Sequence, residues 1–573
     1  MENHLLTLIV FAPLVMAGVL LLVPAKHIGF FKWGALLGSV GSLLAALFVF
    51  HLYDNRTGVT GIDNLSTYQF VEKMDWISLD LGQLGQLSIQ YFLGIDGVSM
   101  PLILLASIVM VIGVLASWSV EEKAKSYFLL YLLLSTSIFG CFLALDFFLF
   151  FLFFEFMLLP MYFLIGLWGG VRREYAAIKF FLYTFFGSVF ILIVMIGLYS
   201  SVIDPIKMSE TLQVSVSQVQ QMLQQGSIAS DQMIRTFDMT AMMQADNFIP
   251  GSVLSLFNGL TIGGYSARLI AFLFLLLGFL IKLPAVPFHT WLPDAHVEAP
   301  TAISVVLAAI LLKIGGYGLM RIVYPIFPEG AIQFAVLVGF LGVLAIIYGA
   351  LNALAMKDLK KMIAFSSISH MGFVLLGLAS LTAEGVSGAL YQMVSHGFIS
   401  AALFLIVGVI YDRTYSRQIA DFAGLATLMP KFTAVVVISF FASLGLPGFS
   451  GFIAELLTLL GAFHSHSLND LLPLWMPIVA VLGLLLTAAY YLWTIQRMFF
   501  GKAWLRNESW MARLTDLSSR EWLMFVPLIL LMIALGVFPH LLLDISKESI
   551  SYFTELINGK GFEQLQLLYQ MTK

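Results

Sequence analysis

The chain has 573 residues, 60% of them hydrophobic and 11% charged, with a formal net charge of −4 and a mean hydropathy of +0.95. A globular domain carries about 25% charged residues, so a soluble protein is excluded and domain counting by length does not apply. The one cysteine, Cys141 in FGCFLAL, excludes a four-cysteine iron–sulfur site or a disulfide framework within the chain.

Cys141 reads as a small buried apolar residue. The sequence contains no Gly-rich nucleotide fingerprint and no P-loop lysine. Any redox chemistry associated with the protein therefore belongs to another subunit.

Apolar runs predict about fourteen membrane spans, starting near residues 4, 30, 97, 126, 147, 176, 267, 300, 332, 360, 386, 430, 472 and 521. The N-terminus, MENHLLTLIVF, lacks the basic region of a cleavable signal and reads as the start of the first span. Two long polar stretches interrupt the apolar pattern, 53–90 and 202–266. The Gln and Ser content of the second predicts short surface helices outside the membrane. The C-terminal tail, ISKESISYFTELINGKGFEQLQLLYQMTK, has apolar residues at helical spacing, which suits the membrane surface or a neighbouring subunit.

With the N-terminus outward, the inward loops and their edges hold eighteen of the 29 Lys and Arg residues and the outward segments nine. The positive-inside rule then places both termini on the periplasmic side, or its equivalent. Two basic residues are left over. They are Lys282 and Lys313, both inside predicted spans.

Glu155, in DFFLFFLFFEFMLLPMYFLIGLW, lies about eight residues into its span, roughly 12 Å deep at 1.5 Å per residue. A short carboxylate cannot reach the headgroups from there. An intramembrane charge costs at least about 3 kcal/mol and marks a functional site by default; a structural ion pair locking two helices is the plainer alternative. Lys313, in SVVLAAILLKIGGYGLM, sits near mid-span, beside Gly315, Gly316 and Gly318, which would let another helix approach closely. Lys282 precedes PAVPF, where each proline removes a backbone donor, and HTWLPDAHVEAP then resumes the pattern. A snorkelling lysine is the alternative there. Broken backbone at membrane depth is tolerated only inside protein or beside a water-filled cavity.

A second interruption, LGLPGFSG, precedes Glu455. Two Pro/Gly-interrupted spans, five spans apart, are the mark of a transporter built from two repeats. His289, His370 and His396 add groups with an unperturbed pKa of about 6.5, suited either to proton relay or to plain hydrogen-bonded helix contact. His289, Asp294 and His296 can also be read as metal ligands, without a geometry to support it.

Through these residues, together with KLPAVPFHTWLPDAHVEAPTAIS and KDLKKMIAFSSISHMGF, roughly residues 90 to 500 closely resemble the antiporter-like subunits of respiratory complex I. Among them the chain looks like the chain M, or subunit 4, branch. The related chains L and N and the sodium/proton antiporter subunits typically have lysine where this sequence has Glu455.

The resemblance implies an all-α polytopic fold of about fourteen transmembrane helices with two inverted five-helix repeats, each containing a broken helix. Residues 1–125 would hold the first three helices with the outward loop 53–90. Residues 126–324 would form the first repeat with the outward insertion 202–266, residues 325–500 the second repeat, and residues 501–573 the last helix and tail. Glu155 would pair with Lys282, Lys313 would bridge, Glu455 would be the terminal carboxylate, and His289, His370 and His396 would belong to the hydrated axis between them.

The implied function is proton translocation in the membrane arm of an NADH–quinone oxidoreductase, driven by quinone reduction elsewhere. The chain itself would hold no cofactor or metal; FMN, iron–sulfur clusters and quinone would sit on other subunits. Its partners would be lipid and neighbouring membrane subunits, especially chains L and N, with no nucleic acid. Its place would be the bacterial cytoplasmic membrane. The insertion 202–266 and the tail look longer than is common in the family. A secondary cation/proton antiporter without redox partners is the competing class, and a purely structural scaffold a third.

Overall fold

A computed structural model describes residues 4–54, 68–80, 82, 86–256, 258 and 260–571. Among the described residues, eleven helices are individually long and apolar enough to cross a membrane. The remaining crossings are the shorter helix Leu5–Leu21 and two interrupted segments, Ala267–Lys282 continued by Trp291–Glu298, and Pro430–Ser443 continued by Ser450–Asn469. Each of the fourteen predicted starts thus lies within three residues of the start of a crossing.

Five crossings separate the first interruption from the second. An odd number of crossings reverses direction, so a second five-helix unit built like the first must enter the membrane from the opposite side. The two interrupted segments therefore cross in opposite directions, as two inverted repeats require.

Burial sorts the helices. Thr301–Ile326 and Ala383–Thr414 are buried throughout their most apolar stretch, and Leu359–Ala379 nearly so, whereas Ile28–Leu52, Arg173–Ser201 and Trp475–Phe499 turn most of their surface outward. The central helices are rich in Gly, Ala and Ser, which lets backbones approach where no hydrophobic drive separates helix from lipid. A side chain at Gly349 would meet the backbone of Ser369 and Phe365, and one at Gly342 that of Leu376 and Gly372. Asp358 starts Leu359–Ala379 by accepting from the backbone N–H groups of Lys360 (2.8 Å) and Lys361 (3.2 Å).

Outside the membrane the two polar stretches meet. Gln69–Asp80 and Gln86–Ile95 form an antiparallel hairpin, and Ile234–Thr236 from the insertion joins it in parallel, with Gln86 opposite Ile234. The insertion also contains the expected short helices, Pro205–Leu212 capped by Asp204 and Val216–Gln224 opened by a Ser215/Gln218 capping box. They close over a small separate core of Met208, Val219, Leu223 and Ile234. The shared sheet is absent from the sequence reading because it pairs segments nearly 150 residues apart.

The tail is a helix, His540–Met571. It packs along this chain's own Pro328–Gln333 and Ala383–Thr414. Ile545, Phe553 and Ile557 are buried, Phe553 stacks on Tyr324, and Asn558 Nδ2 donates to the Leu381 carbonyl (3.0 Å).

Arg268 and Arg321, sorted by sequence with the outward segments, are buried. Arg268 donates to both carboxylate oxygens of Glu329 (2.6 and 3.3 Å) and to the carbonyls of Leu254 and Ile326, between the Phe248 and Phe327 rings. Arg268 thus ties the insertion, through Leu254, and Pro328–Gln333, through Glu329, to the start of the first interrupted helix. Arg268→Ala leaves Glu329 buried without its cation, and a destabilisation of about 3–5 kcal/mol is expected. It would be read as a lower thermal midpoint in detergent, with R268M/E329M recovering most of the loss.

Candidate functional site

The first interruption delivers Lys282 to the interior. Ala267–Lys282 ends there, and the freed carbonyls find new donors: Leu280 accepts from the N–H of Ala285 (2.9 Å), and Ile281 from the indole N–H of Trp291 (2.9 Å). A break at this depth is sustained only by such substitutes. Gly315 holds the break against the next helix, since a side chain there would run into the backbone of Leu283 and Phe279. The close approach expected at the Gly315–Gly318 cluster is therefore made by the helix that carries Lys282.

Lys282 is 1% exposed, and its ammonium has no hydrogen-bond partner. It lies over the rings of Phe154 (4.9 Å) and Phe180 (5.7 Å). Glu155 follows Phe154 near the end of Phe147–Phe156, where the span is interrupted at Met157; Pro160 removes the donor that would bind the Phe156 carbonyl. The carboxylate is half-buried, within electrostatic range of Lys282 and beside Ser188, and one of its oxygens is unpartnered. Glu155 and Lys282 are thus neighbours without a direct ion pair in this structure.

Lys313 sits in Thr301–Ile326 between two π-helical stretches, Leu307–Leu311 and Leu319–Val323. Such bulges recur at functional sites because they release carbonyls from the helical ladder. Here the Lys313 ammonium donates to the Ala308 carbonyl (2.6 Å) and lies 2.7 Å from His396 Nδ1. The row continues. The His396 and His370 rings are 5.4 Å apart, and His370 Nδ1 is 3.3 Å from a Glu455 oxygen.

His370 is held on both sides, with Gln392 Nε2 3.2 Å from Nδ1 and Ser443 Oγ 3.2 Å from Nε2. Ser443 in turn donates to Tyr491, and Tyr491 to Ser366. A cavity of about 10 Å³ lies among His370, His396, Ser443 and Glu455, room for about one water. An imidazole with a carboxylate at one nitrogen and a hydroxyl at the other can accept a proton on one side and release it on the other.

The second interruption shapes the end of the row. Gly445, at φ +76°, and Gly448, at φ +98°, turn the chain between Pro430–Ser443 and Ser450–Asn469. A side chain at Gly445 would strike the Glu455 carboxylate.

Of the seven residues singled out by sequence, the structure gathers Lys313, His396, His370 and Glu455 into one row and places Glu155 beside Lys282. His289 stands apart, edge-on to Tyr348 (5.0 Å) and near Phe365, with Nδ1 unpartnered. No hydrogen bond or ring contact joins it to the other six among the described residues. The metal reading fails: Asp294 pairs with Lys179 (2.8 Å), His296 lies face to face with Phe404, and no metal-binding group of His, Cys, Asp or Glu occurs among the described residues.

Sequence reasoning missed several buried polar residues. Lys360, counted as an inward-loop residue, is buried and donates to the Ala299 carbonyl (2.6 Å). Arg321 donates to Asp96 (2.5 Å) and Tyr68 (2.8 Å) and from Nε to the Tyr317 hydroxyl (3.0 Å). These residues stand at span ends, where sorting charges by loop hides burial. His296 is also fully buried, with neither ring nitrogen partnered.

The profile of the family described as "NADH:quinone oxidoreductase/Mrp antiporter, TM" matches residues 144–240 and 236–487. The chain is 39% identical to NADH-quinone oxidoreductase subunit M of Rhodobacter capsulatus, over 96% of this chain and 97% of that one. It is 37% identical to F(420)H(2) dehydrogenase subunit M of Methanosarcina mazei, over 97% and 99%. A chain of respiratory complex I from Thermus thermophilus, solved with bound NADH, superposes with a TM-score of 0.74 at 29% identity, covering 96% of this chain and 99% of that one.

Gly445→Ala adds a left-handed strain of about 1–2 kcal/mol and pushes on Glu455. The expected result is a shifted infrared carboxyl band, identified as that of Glu455 by its loss in E455Q; an unshifted band would show that the turn does not position the carboxylate.

Proposed function

The chain belongs to the NADH:quinone oxidoreductase/Mrp antiporter transmembrane family, and from that membership we propose that it is the chain-M-type membrane-arm subunit of an NADH–quinone oxidoreductase and translocates protons. The observation that carries the reading is the buried row Lys313, His396, His370, Glu455, which meets the helix break of Lys282 through Gly315. A chain with one buried cysteine and a row of titratable groups is equipped to move protons rather than electrons. FMN, iron–sulfur clusters and quinone belong to other subunits in this reading, with chains L and N as its membrane neighbours. The place is the bacterial cytoplasmic membrane, with both termini periplasmic.

The mechanism is electrostatic. An ionised Glu155 beside Lys282 favours the ammonium form, and desolvation opposes it. When Glu155 is neutralised or drawn away, the proton on Lys282 loses its counter-charge and passes to Lys313. From there the imidazoles of His396 and His370 carry it to Glu455. The driving energy is quinone reduction elsewhere, reaching this chain through neighbouring membrane subunits. Family membership leaves the electron donor open, since one relative is named for F(420)H(2) rather than NADH.

Glu155→Ala or Lys282→Ala is expected to abolish most pumping by this subunit while the complex assembles. Protons moved per electron in proteoliposomes would measure it, and wild-type values in both variants would remove the gating role. Glu455→Lys should impair transport without necessarily eliminating it, because many relatives have lysine there. Purification of the native complex tests the competing class. Flavin and iron–sulfur absorbance with NADH:quinone activity is expected; their absence alongside cation-driven proton exchange would identify an antiporter.

A further inference from the structure

Which nitrogen of His370 carries the proton is decided by a chain of hydroxyls beside the row. Ser366 stands one helical turn before His370 in Leu359–Ala379, Tyr491 lies in Trp475–Phe499, and Ser443 ends Pro430–Ser443 at the second interruption. All three are buried. The Ser366 hydroxyl donates to the Ile363 carbonyl (2.8 Å), the Tyr491 hydroxyl to Ser366 Oγ (3.1 Å), and the Ser443 hydroxyl to Tyr491 (2.7 Å). A carbonyl only accepts, and each hydroxyl has one hydrogen to give. Every hydrogen in the chain therefore points away from His370, and Ser443 Oγ has only lone pairs left for Nε2, 3.2 Å away.

The neutral ring thus bears its hydrogen on Nε2, because the bond made at one nitrogen fixes the state of the other. The opposite side agrees. Nδ1 faces the amide nitrogen of Gln392, a donor, at 3.2 Å, and a Glu455 oxygen at 3.3 Å. Gln392 alone does not set this arrangement: its Oε1 is unpartnered, and a half-turn of the amide would offer that oxygen to a hydrogen on Nδ1. The hydroxyl chain has no such freedom. Its reversal requires three hydroxyls to turn together and Ser366 to leave the Ile363 carbonyl.

We propose that Tyr491 is a positioning residue for the row: through Ser443 it keeps a proton on Nε2 of His370 and reserves Nδ1 for exchange with Glu455. The inference rests on the proton-translocation reading above. Of the two sides on which the ring can exchange protons, the chain closes the Nε2 side. A proton arriving on Nδ1 makes the ring an imidazolium. The Nδ1–H bond then breaks, an O–H bond forms on Glu455, and the ring returns to neutral with its Nε2 proton unmoved. Without the Tyr491 hydroxyl, Ser443 is free to donate to Nε2. Neutral His370 then holds its hydrogen on Nδ1, against Glu455, and takes a further proton only on the Ser443 side, off the row.

Y491F removes one hydroxyl and keeps the ring that packs on Phe440 and Tyr490. The test uses the assembled complex in proteoliposomes, with nitrogen magnetic resonance of ring-labelled histidine; the His370 signals are those lost in H370Q. Wild type is expected to show the Nε2–H form and Y491F mainly the Nδ1–H form, with protons moved per electron falling toward the H370Q value. Y490F, which removes the adjacent unpartnered hydroxyl, should leave both readings unchanged. S366A cuts the chain at its far end, is expected to shift the same signals, and reports independently if Y491F fails to assemble. An Nδ1–H form in wild type, or unchanged His370 signals in Y491F or S366A, would overturn the inference. So would wild-type pumping in a variant whose His370 has changed form. If H370Q lowers the ratio, those outcomes remove only the role of Tyr491; if H370Q pumps as wild type, His370 leaves the row and the translocation reading loses the observation that carries it.

Discussion

A lysine ammonium near the centre of a bilayer costs at least about 3 kcal/mol, and Lys282 sits in the protein interior with no hydrogen-bond acceptor. Much of the bundle is arranged around that fact. The helix carrying it stops at that residue, its loose carbonyls are taken up by Trp291 and by nearby backbone, and Gly315 presses the neighbouring helix against the break. Phenylalanine faces replace water around the charge. Aromatic rings attract a desolvated cation by roughly 2 kcal/mol, too little to fix it as an ion pair would.

The buried charges fall into two kinds. Arg268–Glu329 and Arg321–Asp96 have their hydrogen-bonding capacity well occupied and lie near helix ends, joining the insertion and the residues flanking the hairpin to the bundle. Removing one member of such a pair is costly because the other is left buried alone. Lys282, Glu155 and His296 are instead under-partnered, and the Lys313–Glu455 row is joined by contacts that a change of tautomer can rearrange. Rigid, satisfied charges hold the frame, and the under-partnered ones are less tightly held.

The row is central because its helices are. Thr301–Ile326, Leu359–Ala379 and Ala383–Thr414 are the most buried spans, and they bear Lys313, His370 and His396. Small residues bring their backbones together, and the π-helical stretches on either side of Lys313 free a carbonyl where the ammonium needs one.

The sequence by itself determined the fourteen crossings, both interruptions and the intramembrane charges, because hydropathy, proline and charge are local properties that a bilayer reads one segment at a time. It also fixed the identity of the residues now found in the row. Only the tertiary structure decided which of them meet. His370 reaches Glu455 from 85 positions away and Lys313 reaches His396 from 83, whereas His289, beside the same break as Lys282, is turned toward Tyr348 instead. Burial of Arg268, Arg321 and Lys360 was hidden for the same reason. A charge at a span end looks alike whether water or another helix covers it, and the covering helix, strand or tail comes from a distant part of the chain.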